Sequence, residues 1–164
     1  MGREIERKFL VDSSWRPTGR GVRVRQGYLC MDPQRVVRVR VAGRSGYITI
    51  KGKGRGISRP EFEYRVPLRD AEQLLRLCTG SVVSKRRFKV RHAGKVWEVD
   101  LFEGANRGLV IAEIELSHAR ESFERPAWLG KEVSDDARYV NARLASQPFR
   151  EWGKQERQTA RRSG

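Results

Sequence analysis

Apolar and polar residues alternate with period two through most of this chain. In an extended strand successive side chains take opposite faces, so such alternation marks a half-buried strand. The pattern predicts strands over residues 3–11, 22–31, 35–41, 47–51, 60–67, 82–92, 95–103 and 109–117. Asp32-Pro33-Gln34, the stretch 43–46, Gly94 and the stretch 104–108 supply turn residues between them. Residues 12–21, with Pro17 and two glycines, read as loop. Ala71, Leu74, Leu75 and Cys78 recur at helical spacing, which predicts one clear helix capped by Asp70 and ended by Gly80. Residues 125–136 read as irregular, and Asp136 as the cap of a last helix over 139–145. The fold class is mainly β (α+β), with one domain over 1–149 and a basic, flexible tail over 150–164.

The polar faces are charged, and the charge is sorted by strand. Glu4, Glu6 and Lys8 share one face of the first strand, and Ile5 and Phe9 take the other. Two carboxylates at this spacing can hold one hard divalent cation, and a lysine one step further suits a phosphate oxygen bound to it. Further carboxylates pair at i and i+2: Glu61/Glu63, Glu98/Asp100 and Glu113/Glu115. Basic groups gather elsewhere, at Arg38/Arg40, Lys51 and Lys85/Arg87/Lys89. A sandwich with solvated outer faces would hide the apolar sides but gives no reason for this segregation. A barrel with its charged faces turned into a water-filled tunnel does. Its carboxylates would repel one another unless cations lay among them, and its basic rows would bind a chain of phosphates.

Composition narrows the partners. The formal net charge of +15 points to a polyanion such as nucleic acid, polyphosphate or a nucleotide. The clean alternation excludes disorder for all but the last dozen residues. Gly52-Lys53-Gly54-Arg55-Gly56 lacks P-loop spacing and no helix pattern follows it, so it reads as a mobile basic loop. Base-stacking aromatic platforms of the RNA-binding kind are absent, which weighs against nucleic-acid readout. Cys30 and Cys78 form no zinc or redox spacing. No apolar leader opens the chain and no run is long enough to cross a bilayer, so the expected setting is the cytoplasm, without membrane contact.

The segments E-I-E-R-K-F-L-V, R-V-R-V, Y-I-T-I-K-G, E-F-E-Y, the K-x-R strand at Lys85, W-E-V-D, A-E-I-E-L and R-Y-V-N-A-R-L come in an order and at spacings that resemble the CYTH superfamily. Its members are also called triphosphate tunnel metalloenzymes, and the resemblance to the short single-domain bacterial type covers residues 2–149. It implies an eight-stranded antiparallel closed barrel with a few flanking helices, a triphosphate-bearing substrate and Mg2+ or Mn2+. Carried over by motif, the metal-side acids are Glu4, Glu6, Glu113 and Glu115, with Glu61, Glu63, Glu98 and Asp100 as further candidates. Phosphate contacts fall to Lys8, Arg38, Arg40, Lys51, Lys85 and Arg87. Many short members carry an acidic residue after W-E-V-D where this chain has Leu101, which parity points out of the tunnel.

Like charges around Lys85 should lower its pKa, so that a neutral amine could take a proton from the attacking water. Some short members are similar in using a Lys–Tyr pair, which makes Tyr28 the expected partner of that amine. The activity this implies is metal-dependent cleavage of inorganic triphosphate to pyrophosphate and phosphate, with a homodimer left open. A nucleoside or thiamine triphosphatase, or a class IV adenylate cyclase, would use the same tunnel. A non-catalytic polyphosphate-binding module would use the positive charge but gains nothing from eight acids in one lumen.

Overall fold

The computed structural model describes residues 2–161. Nine strands form one antiparallel sheet: β1 (Gly2–Val11), β2 (Val22–Cys30), β3 (Arg35–Ala42), β4 (Ser45–Gly52), β5 (Ser58–Val66), β6 (Thr79–His92), β7 (Lys95–Phe102), β8 (Val110–Glu115) and β9 (Leu129–Glu132). Their order in space is β5-β4-β3-β2-β6-β7-β8-β1-β9, and a further pairing of β5 with β1 closes the first eight into a barrel. The expected eight-stranded barrel is therefore present, and β1 is its seam. Its first half pairs β5, from Gly2↔Glu61 to Ile5↔Ser58, and its second half pairs β8, from Glu6↔Glu115 to Leu10↔Ile111. Past the β5 contact, β9 pairs β1 at Phe9 and Val11. The pattern read this stretch as irregular, because four residues, Leu-Gly-Lys-Glu, are too few to show a period.

The apolar outer faces are covered in two ways. Phe9, Trp97, Val99, Ala112 and Ile114 form one buried cluster, roofed by Trp15, Phe123 and Trp128 from the loops. Trp97 is its hub, with edge-on ring contacts to Phe9 at 5.7 Å, Phe123 at 5.5 Å and Trp128 at 5.8 Å. Leu101, as parity required, packs on the edge of this outer cluster. Val39 and Val41 lie beneath α1 (Leu68–Leu75). That helix sits so close that a Cβ on Gly46 would fall 2.6 Å from the Ala71 Cβ. It starts two residues before the expected cap: Pro67 opens it, no side chain caps it, and Asp70 lies inside its first turn. There a carboxylate still favours the positive end of the helix dipole.

The third cluster fills part of the barrel from within. Leu10, Val83, Phe102 and Ile111 share the faces of Lys8, Lys85, Asp100 and Glu113, so they point inward at one end of the lumen. The C-terminal segment plugs that end with Tyr139, Leu144, Phe149 and Trp152. Asp136 caps a short 3-10 turn at Ala137–Tyr139, accepting from the Arg138 N–H, and α2 (Asn141–Ser146) follows. Phe149 N–H donates to Asn106 Oδ1 at 2.8 Å, and Trp152 Nε1 donates to Gln147 O at 3.1 Å. The tail expected to be frayed is folded through residue 161, with α3 (Lys154–Arg161) docked by buried Ala160. Its last three residues lie outside the described part. Charge concealed the docking signal: the tail offers only Trp152 and Ala160, and the Arg161 guanidinium covers the Phe149 ring at 5.6 Å.

Phe149 is fully buried in the lumen cluster. Phe149→Ala should cost about 3–5 kcal/mol, read as a lower urea midpoint. An unchanged midpoint would show that the C-terminal segment does not pack inside the barrel.

Candidate functional site

The open part of the lumen is a cavity of about 850 Å³. Eight cations line it: Lys8, Arg38, Arg40, Lys51, Arg59, Arg87, Lys89 and Arg91. Seven carboxylates face them: Glu4, Glu6, Glu61, Glu63, Glu98, Glu113 and Glu115. Around the barrel they form two arcs. The run β4-β3-β2-β6 carries Lys51, Arg38, Arg40, Arg87, Lys89 and Arg91, and no acid lines the cavity from it. The run β7-β8-β1-β5 carries every acid, with Lys8 and Arg59 set among them. The sorting by strand seen along the sequence thus becomes a basic half and an acidic half in space.

Burying charge is costly unless it is paired, and the lumen pairs nearly all of it. Lys51 Nζ lies 2.6 Å from Glu4 and 2.7 Å from Glu61. Arg59 holds Glu4 at 2.8 Å. Arg40 bonds Glu63 at 2.9 Å, and Thr49 donates to the same carboxylate at 2.8 Å. Lys8 donates to Glu113 at 2.7 Å and sits 3.3 Å from Glu6. Burial works against the Lys8 charge, but Glu113 and Glu6 outweigh it and hold the ammonium above its ordinary range. Glu113 resists its own burial in the same way, kept well below the usual carboxylate range by Lys8, Arg87 and Lys85. Arg87 bonds Glu113 at 2.9 Å, Asp100 at 2.7 Å and also Glu98.

Arg91 is exposed and forms no ion pair among the described residues, and three further groups are left over. Arg38 Nε and Arg40 Nε are buried and have no acceptor among the described residues. Such donors call for a ligand oxygen. Glu115 has neither a cation nor a hydrogen-bond donor on its side chain among the described residues, and it lies directly across from Glu6. Like charges set opposite on paired strands destabilise a sheet. Partial burial raises the Glu115 pKa, and Glu4, Glu61, Glu6 and Glu98 push it further up. Among the described residues no three acids converge as a finished metal cage. The ion pairs explain this, because Lys51 and Arg59 hold Glu4 while Lys8 and Arg87 hold Glu113. By donor chemistry the carboxylate oxygens of Glu6 and Glu115 suit a hard divalent cation.

Two expected residues lie on the inward face that parity gave them, but below the open cavity. Asp100 is fully buried and does not line the cavity, its oxygens held by Arg87 and Lys85, so it faces cations of the chain itself. Lys85 is equally buried, bonded to Asp100 and 3.4 Å from Asn141 Oδ1. Period two gives the face of a residue but not its depth, and the plug closes over this level of the barrel. Burial lowers the Lys85 pKa to about 8, with Asp100 opposing and Arg87 assisting. Tyr28 does line the cavity, yet its hydroxyl accepts from Gln26 Nε2 at 3.0 Å, so it does not orient the Lys85 amine. Arg59, Thr49 and Asn141 were missed. Arg59 could have been found, since it shares the inward face of Glu61 and Glu63; for Asn141, which arrives from the plug, the only signal was its place in the segment R-Y-V-N-A-R-L.

Fold and lumen define a closed antiparallel barrel whose cavity sets a basic arc against an acidic one. The description "CYTH domain" matches residues 2–146. The chain belongs to the CYTH family. An inorganic triphosphatase of Acetivibrio thermocellus is 46% identical over 152 residues, covering 92% of this chain and 97% of that protein. One from Nitrosomonas europaea is 36% identical over 148 residues, covering 87% and 96%. A crystal structure of an inorganic triphosphatase matches with TM-score 0.63 at 34% identity, covering 87% of this chain and 97% of the other. Among the described residues no helix is long and apolar enough to cross a membrane.

Glu115 carries its negative charge against its neighbours, so the raised pKa fixes the sign of a stability effect. A carboxyl held above its ordinary value favours the protonated form in the folded state, and what it contributes at low pH is lost as pH rises through the raised value. Glu115→Gln should therefore raise the Tm of metal-free protein at pH 7. The gain should vanish below about pH 4, where ordinary carboxyls take up protons. A lower Tm at pH 7 would mean that the acidic arc is not strained.

Proposed function

We propose that this chain hydrolyses inorganic triphosphate to pyrophosphate and phosphate within its lumen, in the cytoplasm, with Mg2+ or Mn2+. The observation that carries this reading is the pair of opposed arcs, with Arg38 Nε and Arg40 Nε lacking acceptors and Glu115 lacking a cation among the described residues. Relatives described as inorganic triphosphatases, matched over nearly their full length, support it.

In this reading Arg38, Arg40, Lys51, Lys8 and Arg87 exchange their carboxylate partners for phosphate oxygens. Arg59, beside Glu4, joins them. Glu4, Glu6, Glu113 and Glu115 then become free to hold the metal, and Glu61, Glu63 and Glu98 steady the basic side chains. The divalent cation supplies charge neutralisation and polarises a phosphoryl oxygen. The protein's share is positioning and electrostatics, as phosphoryl transfer requires. Water adds to a terminal phosphorus, the bridging P–O bond breaks, and pyrophosphate leaves with the electron pair. Lys85 is the proposed acceptor of the water's proton, supported by its lowered pKa and by its place beside Asn141, which lines the cavity. Tyr28 sits where it can donate to a phosphate oxygen at the cavity floor.

Phosphate release from inorganic triphosphate should stop in excess EDTA, and Glu4→Ala or Glu115→Ala should lower it about 100-fold or more with the fold intact. Full activity in chelator rules out the metal mechanism, and faster turnover of ATP than of triphosphate replaces this reading with a nucleoside triphosphatase.

Lys85→Arg keeps the charge but cannot give up a proton near neutrality. If Lys85 is the base, the variant should bind triphosphate and lose turnover. Wild-type kcat should climb as pH rises through about 8, where the amine is freed. A near wild-type kcat in the arginine variant leaves Lys85 as a structural partner of Asp100.

A further inference from the structure

The barrel is open at one end only. At the other end its inward faces carry Leu10, Val83, Phe102 and Ile111, packed against Leu144 and Phe149 of the C-terminal segment. The cavity stops on Tyr28, Val36, Val140, Asn141 and Ala142, three of which belong to that segment. Depth shows in exposure. Near the floor, Tyr28 is 3% exposed, Lys8 8% and Arg38 9%; at the rim, Tyr64 is 56% and Val96 38% exposed. Floor and deep cations meet, because Arg38 pairs across from Tyr28 on β3, and the Tyr28 hydroxyl feels the charges of both Arg38 and Lys8.

We propose that the C-terminal plug makes the lumen blind, so that a phosphate chain enters only by a free terminal phosphate that stops against Tyr28 and Asn141. This rests on the triphosphate reading and adds a rule about chain ends. A through-tunnel could thread a chain of any termination, whereas a blind lumen cannot. A ring has no end to lead with, although its phosphoanhydride bonds are the same. A chain esterified at both ends would have to drive a bulky group onto a floor closed by packed side chains. A chain esterified at one end keeps a free terminus and leaves its substituent at the rim, beside Tyr64 and Val96. Both products must return through the same mouth. The segment over residues 139–152 thereby acts as a specificity element, although only its first few residues touch the cavity.

Three probes separate the cases: inorganic triphosphate, cyclic trimetaphosphate, and diadenosine triphosphate, which is esterified at both ends. Each is titrated by calorimetry into the Mg2+-loaded protein, and products are resolved by ion chromatography. The linear chain should bind and be cleaved. The ring and the doubly capped chain should bind at least about tenfold more weakly and show kcat/KM at least about 100-fold lower. Binding of either within about threefold of the linear chain overturns the blind lumen. Should triphosphate bind selectively over both yet remain uncleaved, the hydrolase reading fails and the chain-end rule stands. Ala142→Leu tests the floor directly by adding bulk to it. Its Kd for triphosphate should rise about tenfold with the circular dichroism spectrum unchanged. An unchanged Kd in a folded variant overturns the stop, and if the variant does not fold, the three probes on the wild-type protein decide.

Discussion

A charge taken out of water must find an opposite charge, or the fold gives up the stability to keep it there. That constraint shapes this barrel more than any apolar contact. The acidic and basic arcs meet at two seams, between β4 and β5 and between β6 and β7, and the seams are laced by Lys51–Glu61, Arg40–Glu63 and Arg87–Glu98. The lattice runs on below the open cavity, where Asp100 bridges Arg87 and Lys85. Removing one member strands another, so the lumen behaves as one unit. It is also the reason the acids do not converge in advance of a ligand: while no phosphate occupies the basic arc, its side chains are the nearest available partners.

The period-two faces were plain in the sequence because a closed antiparallel barrel imposes one inward and one outward face on every strand. Glu4, Glu6 and Lys8 could be placed together from spacing alone, and so could Arg38 with Arg40. Depth was not legible. Asp100 follows Glu98 on the same face, yet one lines the cavity and the other is sealed beneath the plug. The clue lay in what comes next along those faces: Lys8 is followed by Leu10, Asp100 by Phe102, and Lys85 is preceded by Val83. The inward pattern turns apolar at the same level on each strand, which is the mark of a filled end. The plug was hidden for another reason. A helix was expected over 139–145 and one forms at Asn141–Ser146, but residues 139–152 pack by tertiary contact with the barrel, and no period of their own showed that they enter it.

Stability and specificity share residues in this arrangement. Phe149 and Trp152 pack edge-on at 5.1 Å and anchor the chain end, while the floor that they support faces the cavity. Outside, the Trp97 cluster and α1 each cover one patch of sheet without approaching the lumen. The outer coat can vary without touching the site, whereas the inner core cannot.

Eight cations against seven carboxylates leave the cavity close to neutral. Nearly all of the +15 charge therefore belongs to the rest of the chain. Seen from a distance the molecule is a polycation, and at close range its lumen is a balanced salt lattice. The two regimes answer to different variables. The far field reaches about 8 Å at physiological ionic strength and fades as salt is added, so it governs how often an anion arrives. The inner lattice is shielded from bulk ions and governs how firmly that anion is held. Ionic strength should thus act on the rate of encounter and leave the grip of the lumen almost untouched.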